Sequence, residues 1–454
     1  MTRIHAKQAL TPQGWVRDLR LTLTPEGRIA QVETGHPHPA AHDLLLPAPT
    51  NLHSHAFQRA MAGLTEARGP DPSDSFWTWR RLMYRFLDQL TPDQIEAITA
   101  LVFMEMLEAG FASVAEFHYL HHGVGGTPYA DPAELSSRIT AAAARTGIGL
   151  TLLPVLYETG GCDGRALQGG QRRFGNTPDS YADLHAAAAR LIAKGPADHH
   201  IGAAPHSLRA VTREGLSRAI ALAGPAPLHM HLAEQVAEVE EVQAHLGARP
   251  TDWLLAHYDV APNWCLIHCT QMTSAETQAL AATGAVAGLC PITESSLGDG
   301  IFNATDYLSA KGRIGIGSDS NIQISLFDEL RTLEYSQRLR DRTRAALASP
   351  DRSTGRTLIE AALQGGAQAA GRDSGALRPG AWADLIAIET DNHRLCKRQG
   401  DTLLDTLIFT GQGAQCISDV WSAGRHVVQD HRHIARDAIT TAFRATLSEL
   451  NQSL

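Results

Sequence analysis

Four short segments of this 454-residue chain carry side chains whose type and spacing suit metal chemistry. Histidine is abundant, with 22 copies, many of them at the ends of apolar runs. Asn51-Leu52-His53-Ser54-His55 is the first segment. On an extended backbone, residues i and i+2 leave the same face, so both imidazoles can reach one ion. A second His-x-His pair, His229-Met230-His231, runs on through Leu232-Ala233 to Glu234, a third run reaches His268, and a fourth ends Gly317-Ser318-Asp319-Ser320. Three neutral imidazoles and one carboxylate suit zinc or ferrous iron with a water in the remaining position. Such an ion brings the pKa of its water towards neutrality and so makes hydroxide available near pH 7. A lone His-x-His arises often by chance. Four such segments, each closing an apolar run, form a far stronger signal.

These residues need a scaffold that gathers strand ends. Eight short apolar runs alternate with stretches of helical length, at 44–49, 112–118, 149–156, 201–205, 227–232, 264–269, 285–291 and 313–319. Helical patterns at 91–109, opening Thr-Pro-Asp, and at 328–348 are of the length a crossover needs. Eight βα units predict an α/β fold, a (β/α)8 TIM-like barrel over residues 44–375, whose functional groups project from the C-terminal strand ends. Residues 1–43 and 376–434 are rich in β-formers and turns and are expected to meet in a small β-sandwich, with 435–454 as a C-terminal helix.

Composition narrows the function. Lys and Arg number 39 against 48 Asp and Glu, a formal charge of −9 without a basic stripe, so nucleic acid and acidic membrane surfaces are not expected partners. The N-terminus lacks the apolar core of a signal peptide and no run of 18 apolar residues occurs, which predicts a cytoplasmic protein. Six cysteines without a Cys-x-x-Cys pair read as buried small hydrophobes. His229 reads either as a support for the ligand strand or as a structural histidine. His121, His122, His199 and His200 read as solvated loop residues.

The arrangement resembles the amidohydrolase superfamily from PAPTNLHSH to ALRPGAWADL, nearly the whole chain. That resemblance implies His53, His55, His231 and Asp319 as metal ligands. The fourth run, Ala203-Ala204-Pro205-His206-Ser207, lacks the lysine of binuclear members, which implies one divalent metal, Zn2+ or Fe2+. The His231-to-Glu234 spacing matches the deaminase branch, in which the glutamate moves a proton from the attacking water to the departing nitrogen. Within the superfamily, NLHSHAFQRAMAGLTE, FWTWRRLMY, EFHYLHH, APHSLRAV, HLAEQ, CPITESSLGDGIF and GSDSNIQISLFDELRTLEY are similar to the family of N-formimino-L-glutamate deiminases. Membership there implies hydrolytic deimination of a small dicarboxylate in histidine degradation by a homodimer. It also implies Gln58, Tyr119, His206 and Arg209 as substrate contacts, with Glu234, His268 and Asp319 catalytic. The residues themselves support Arg209, because a guanidinium is the preferred bidentate partner of a carboxylate. Arg80 and Arg81, after Phe76-Trp77-Thr78-Trp79, are candidates for the second carboxylate, or else the solvated edge of a helix. The alternatives are a heterocycle deaminase on the same metal site and, more remotely, an inactive binding protein on the same barrel.

Overall fold

Strands buried on both faces are characteristic of parallel sheets covered by helices. The computed structural model of the chain describes residues 2–35, 39–64, 66, 83–84 and 86–451. Its strands are β1 (Arg3–Thr11), β2 (Gly14–Leu23), β3 (Ile29–Glu33), β4 (His42–Pro47), β5 (Thr50–Ser54), β6 (Ser113–His118), β7 (Gly149–Leu156), β8 (His200–Ile201) and β9 (Ala204–Pro205). They continue as β10 (Leu228–Leu232), β11 (Trp264–His268), β12 (Val286–Leu289), β13 (Arg313–Ile316), β14 (Leu385–Ile388), β15 (Ile417–Ser422), β16 (Arg425–Gln429) and β17 (Arg432–His433). Every residue of β5, β6, β7, β10, β11 and β12 is buried.

These strands form two parallel sheets. One has the order β5-β6-β7-β8, with β9 also on β7, and the other β10-β11-β12-β13. Parallel bridges join their edges on both sides: Ala203 with Leu228 and Ser207 with His231 on one, Ser54 with Asp319 on the other. The intervening helices begin where threonine side chains take up free backbone N–H groups, as Thr91 does before the helix Pro92–Glu108 and Thr177 before Pro178–Ile192. Each such cap contributes about 1 kcal/mol. Among the described residues no helix is long and apolar enough to cross a membrane.

The first of the eight expected strands lies further along the chain than its apolar run. Run 44–49 lies mostly in β4, which pairs with β1 and β14 outside the parallel sheets. The strand that carries the first histidine pair is β5, Thr50–Ser54. Its sequence, TNLHS, is polar because its side chains serve the site, so a search for apolar runs passes over it. Run 201–205 is also broken, into β8 and β9.

Both ends of the chain contribute to a third sheet, of order β17-β16-β15-β14-β4-β1-β2-β3. Side chains alternate along β4: Leu44 and Leu46 join the main core, whereas Leu45 packs with Ile4, Leu19, Leu21, Leu385 and Trp421. Within 376–434 a helix, Asp401–Phe409, also occurs, and Arg436–Asn451 is helical. Of the cysteines, Cys265, Cys269, Cys290 and Cys416 are buried as expected, but Cys162 is half-buried and Cys396 exposed.

Arg372 ties this sheet to the parallel ones. Its guanidinium meets Asp384, just before β14, at 2.6 Å and Asp198, just before β8, at 3.0 Å, and Arg425 of β16 also pairs with Asp198 at 2.7 Å. All but Arg425 are buried. Removing one partner of a buried pair leaves an uncompensated charge, which costs about 3–5 kcal/mol. Arg372→Met is therefore expected to lower unfolding stability by about that amount in a urea titration, with activity per folded molecule retained.

Candidate active site

β5 and β13 bring the first and last of the sequence motifs together. His55 N–H donates to the Asp319 carbonyl and Asp319 N–H to the His53 carbonyl, both at 2.9 Å. Gly317 permits this approach, since a Cβ there would stand 2.7 Å from the His53 backbone. Polar side chains lock the turn. Asn51 Nδ2 donates to Ser318 Oγ at 2.7 Å, Ser318 Oγ to Asn321 Oδ1 at 2.6 Å, and Asn321 Nδ2 to Ser54 Oγ at 3.2 Å. Asp319 and Asn321 hold left-handed φ of 47° and 56°, as do Ala233, His268 and Cys269 at the ends of β10 and β11. Backbone of this kind outside glycine costs about 1–3 kcal/mol per residue and persists only where its surroundings over-determine it.

The ring nitrogens converge. His53 Nε2 lies 3.1 Å from His231 Nε2, and Asp319 Oδ1 lies 3.3 Å from His55 Nε2 and 3.6 Å from His53 Nε2. Tetrahedral bonds of about 2.0–2.1 Å set neighbouring ligand atoms about 3.3 Å apart, and the observed separations bracket that value. His55 Nδ1 faces the Phe117 carbonyl at 3.0 Å and His231 Nδ1 the His206 carbonyl at 3.1 Å. A carbonyl only accepts, so each Nδ1 carries the hydrogen and each Nε2 is left with its lone pair inward. Burial, reinforced by neighbouring imidazoles, pushes His53 and His231 well below the ordinary histidine range, and burial brings His55 down to about 3. These are neutral imidazoles, the form that binds metal. The donor set fits a divalent ion.

His268 stands beside them, its Nε2 3.8 Å from both Glu234 Oε1 and Asp319 Oδ2, and its Nδ1 3.2 Å from Glu294 Oε1. Burial opposes its charge, but Glu234, the Glu294 hydrogen bond and Asp319 together hold it well above the usual value. Asp319 is pushed up to about 7 by burial and by the Glu234 and Glu294 carboxylates, against the pull of His268. A carboxylate so disfavoured gains most from a nearby cation.

A cavity opens above this cluster. His55, His231, His268 and Asp319 line it together with Glu234, Gln58, Tyr119, His206 and Arg209. His53 is fully buried and is not among the lining residues. Gln58 Nε2 donates to Tyr119 Oη at 2.7 Å. Met83 and the rings of Tyr84, Tyr157 and Phe174 complete a wall that the sequence reading did not single out. Arg80 and Arg81 lie outside the described residues. His229 is kept apart from the cavity, its Nε2 2.7 Å from the Ala369 carbonyl, a structural placement.

The expectation of solvated loop histidines is corrected: His121 and His199 are buried and His122 and His200 half-buried. His200 is part of β8, and the loops of the other three fold back on the sheet ends, where His121, His122 and His199 bond the carbonyls of Val155, Gly175 and Ile148. Four buried glutamates also escaped the sequence reading. Each accepts a backbone N–H at a strand end: Glu116 from Ala56, Glu238 from Glu234, Glu294 from Cys290 and Glu329 from Ile292, all at 2.7–2.9 Å. The signal for Glu116 was present, a lone acid inside the apolar run 112–118.

Comparison with known proteins agrees with this architecture. Residues 44–427 match the amidohydrolase family, and residues 1–44 match the N-terminal domain described as formimidoylglutamate deiminase HutF. A formimidoylglutamate deiminase of Pseudomonas aeruginosa is 48% identical over 456 residues, 99% of this chain and 100% of that protein. The crystal structure of an amidohydrolase from Brucella melitensis superposes with a TM-score of 0.95 at 48% identity, over 99% of this chain and 100% of that one. An adenosine deaminase from Xanthomonas campestris with bound zinc shares the fold, with a TM-score of 0.82 at 21% identity over 99% and 98% of the two chains. With a family model that spans the parallel sheets and a relative this similar along its full length, the chain belongs to the amidohydrolase family.

Proposed function

We propose that the protein hydrolyses N-formimino-L-glutamate to N-formyl-L-glutamate and ammonia. The observation that carries this reading is that Arg209 lines the same cavity as His55, His231, Asp319 and Glu234, so an anionic amino-acid tail and an amidine carbon have partners in one space. The name and 48% identity of the Pseudomonas relative support it. An aromatic, uncharged heterocycle has no carboxylate for the Arg209 guanidinium to hold, which disfavours the rival deaminase reading.

In this reading His53, His55, His231 and Asp319 hold one divalent metal, zinc before ferrous iron, which when bound acidifies the attacking water. Glu234 takes a proton from that water as its oxygen joins the amidine carbon, with Asp319 beside it as a second acceptor. His268 donates to the oxygen on which charge develops. Glu234 then returns its proton to the terminal nitrogen, the C–N bond breaks, and ammonia leaves with the formyl oxygen in its place. Arg209, Tyr119 and His206 anchor the carboxylates while Gln58 orients the formimino group, and Arg80 and Arg81 remain candidates for the second carboxylate. The two bridged parallel sheets are taken as one closed (β/α)8 barrel that begins at β5 rather than at residue 44 and runs to 375, because β4 belongs to the terminal sheet. The terminal sheet is taken as a small sandwich of 1–43 and 376–434, since residues from β1, β2, β14 and β15 share one apolar cluster. From the family resemblance, the enzyme is a cytoplasmic homodimer serving histidine degradation.

Metal-replete protein, carrying about one divalent ion per chain by elemental analysis, is expected to release ammonia from N-formimino-L-glutamate and not from purines, and chelation to abolish the release. The opposite preference would overturn the reading. Glu234→Gln is expected to lower kcat by roughly 10²–10⁴ with metal retained, whereas His231→Ala loses both. Metal loss in the Glu234 variant would instead make it a ligand. Arg209→Met is expected to reduce kcat/KM by about 2–5 kcal/mol in transition-state terms without changing metal content, and to narrow the preference over an analogue lacking the recognised carboxylate.

A further inference from the structure

Glu234 lies two residues beyond β10, after Ala233 in a left-handed conformation with φ of 51°. Among the described residues no donor hydrogen-bonds its carboxylate, and His268 Nε2 is 3.8 Å away. The direction of that side chain therefore depends on its main chain, which is held from two sides. Its N–H donates to Glu238 Oε2 at 2.9 Å, and its carbonyl accepts from Thr270 Oγ1 at 2.6 Å, with Gln271 Nε2 at a longer 3.5 Å. Thr270 Oγ1 also reaches the Ala233 carbonyl, at 3.3 Å, and the Gln271 N–H bonds the same carbonyl at 2.9 Å.

Thr270 is buried and follows His268 and Cys269, both left-handed, with φ of 71° and 55°. This double turn reverses the chain past β11 and returns the threonine hydroxyl across to the loop that follows β10. One hydroxyl thus links the segment bearing His268 to the one bearing Glu234. We infer that Thr270 is a positioning residue for Glu234, fixing the backbone from which the proton-carrying carboxylate is aimed. The inference rests on the role given to Glu234 above. Small errors in the placement of a reacting group carry large rate penalties, about 10²-fold for 1 Å.

Thr270→Val keeps the shape and deletes the donor. In ammonia release from N-formimino-L-glutamate, the metal-replete variant is expected to lose about 10–100-fold in kcat, with KM within about twofold and metal content unchanged. Thr270→Ser restores the hydroxyl and is expected to recover most of that loss. In a Glu234→Gln background the valine substitution is expected to lower kcat by less than about twofold, because the group it positions has already lost its function. Should the valine variant fail to fold, Thr270→Ala against Thr270→Ser carries the same comparison. Parental kcat in Thr270→Val, a serine variant no better than valine, or an equal loss in both backgrounds overturns the inference. Parental kcat in Glu234→Gln alone overturns the role of Glu234, and this inference with it, before any Thr270 variant is read.

Discussion

Two backbone hydrogen bonds across the seam between β5 and β13 set the geometry on which the site depends. By exchanging N–H and C=O with His53, His55 and Asp319, they bring two imidazoles and a carboxylate from opposite ends of the parallel sheets to within 3.3–3.6 Å. Burying a carboxylate is unfavourable without a partner, and the seam supplies none of the required charge itself. The surrounding polar lock of Asn51, Ser54, Ser318 and Asn321 fixes the turn so that the carboxylate cannot relax towards water.

The rest of the strand-end surface repeats one device. A buried glutamate accepts the N–H of a residue shortly beyond the end of a strand, as Glu116, Glu238, Glu294 and Glu329 do. A loop leaving a parallel sheet carries unpaired backbone groups, and a buried donor without an acceptor costs about 1–3 kcal/mol. Supplying side-chain acceptors at these points lets the loops turn abruptly, with left-handed residues, without opening the site to water. Burial pushes Glu116 up to about 8 in the process.

Much of this was legible in the sequence because the clustered side chains are of distinctive type and spacing and close apolar runs. His53, His55, His231, His268 and Asp319 were found from spacing and from their positions at the ends of apolar runs, and the structure brings all five together. The same criterion misread the first strand, since a strand that spends its side chains on the site ceases to look apolar. It also misread His121 and His199, because nothing in a linear sequence reports that a loop folds back over a sheet end. Of the acceptor glutamates only Glu116 left a signal, as a lone acid in an apolar run; the other three were hidden because their partners are backbone groups, which have no sequence signature. Family resemblance rather than periodicity pointed to Gln58, Tyr119 and His206, since residues that line a cavity have no regular spacing.

The terminal sheet imposes an order on the making of the molecule. β4 is paired on one side with β1 and on the other with β14, so Leu45 meets Ala387 across more than three hundred residues of intervening chain. During synthesis β1 to β4 emerge first, with β4 exposing an edge whose partner does not yet exist. Loop-closure entropy grows only slowly with length, so the wait is a kinetic burden more than a thermodynamic one. The parallel sheets can therefore be complete while the waiting edge remains open, and Arg372 can engage Asp198 before Asp384 arrives. Until β14 docks, the free edge of β4 is a surface open to edge-to-edge association with other chains.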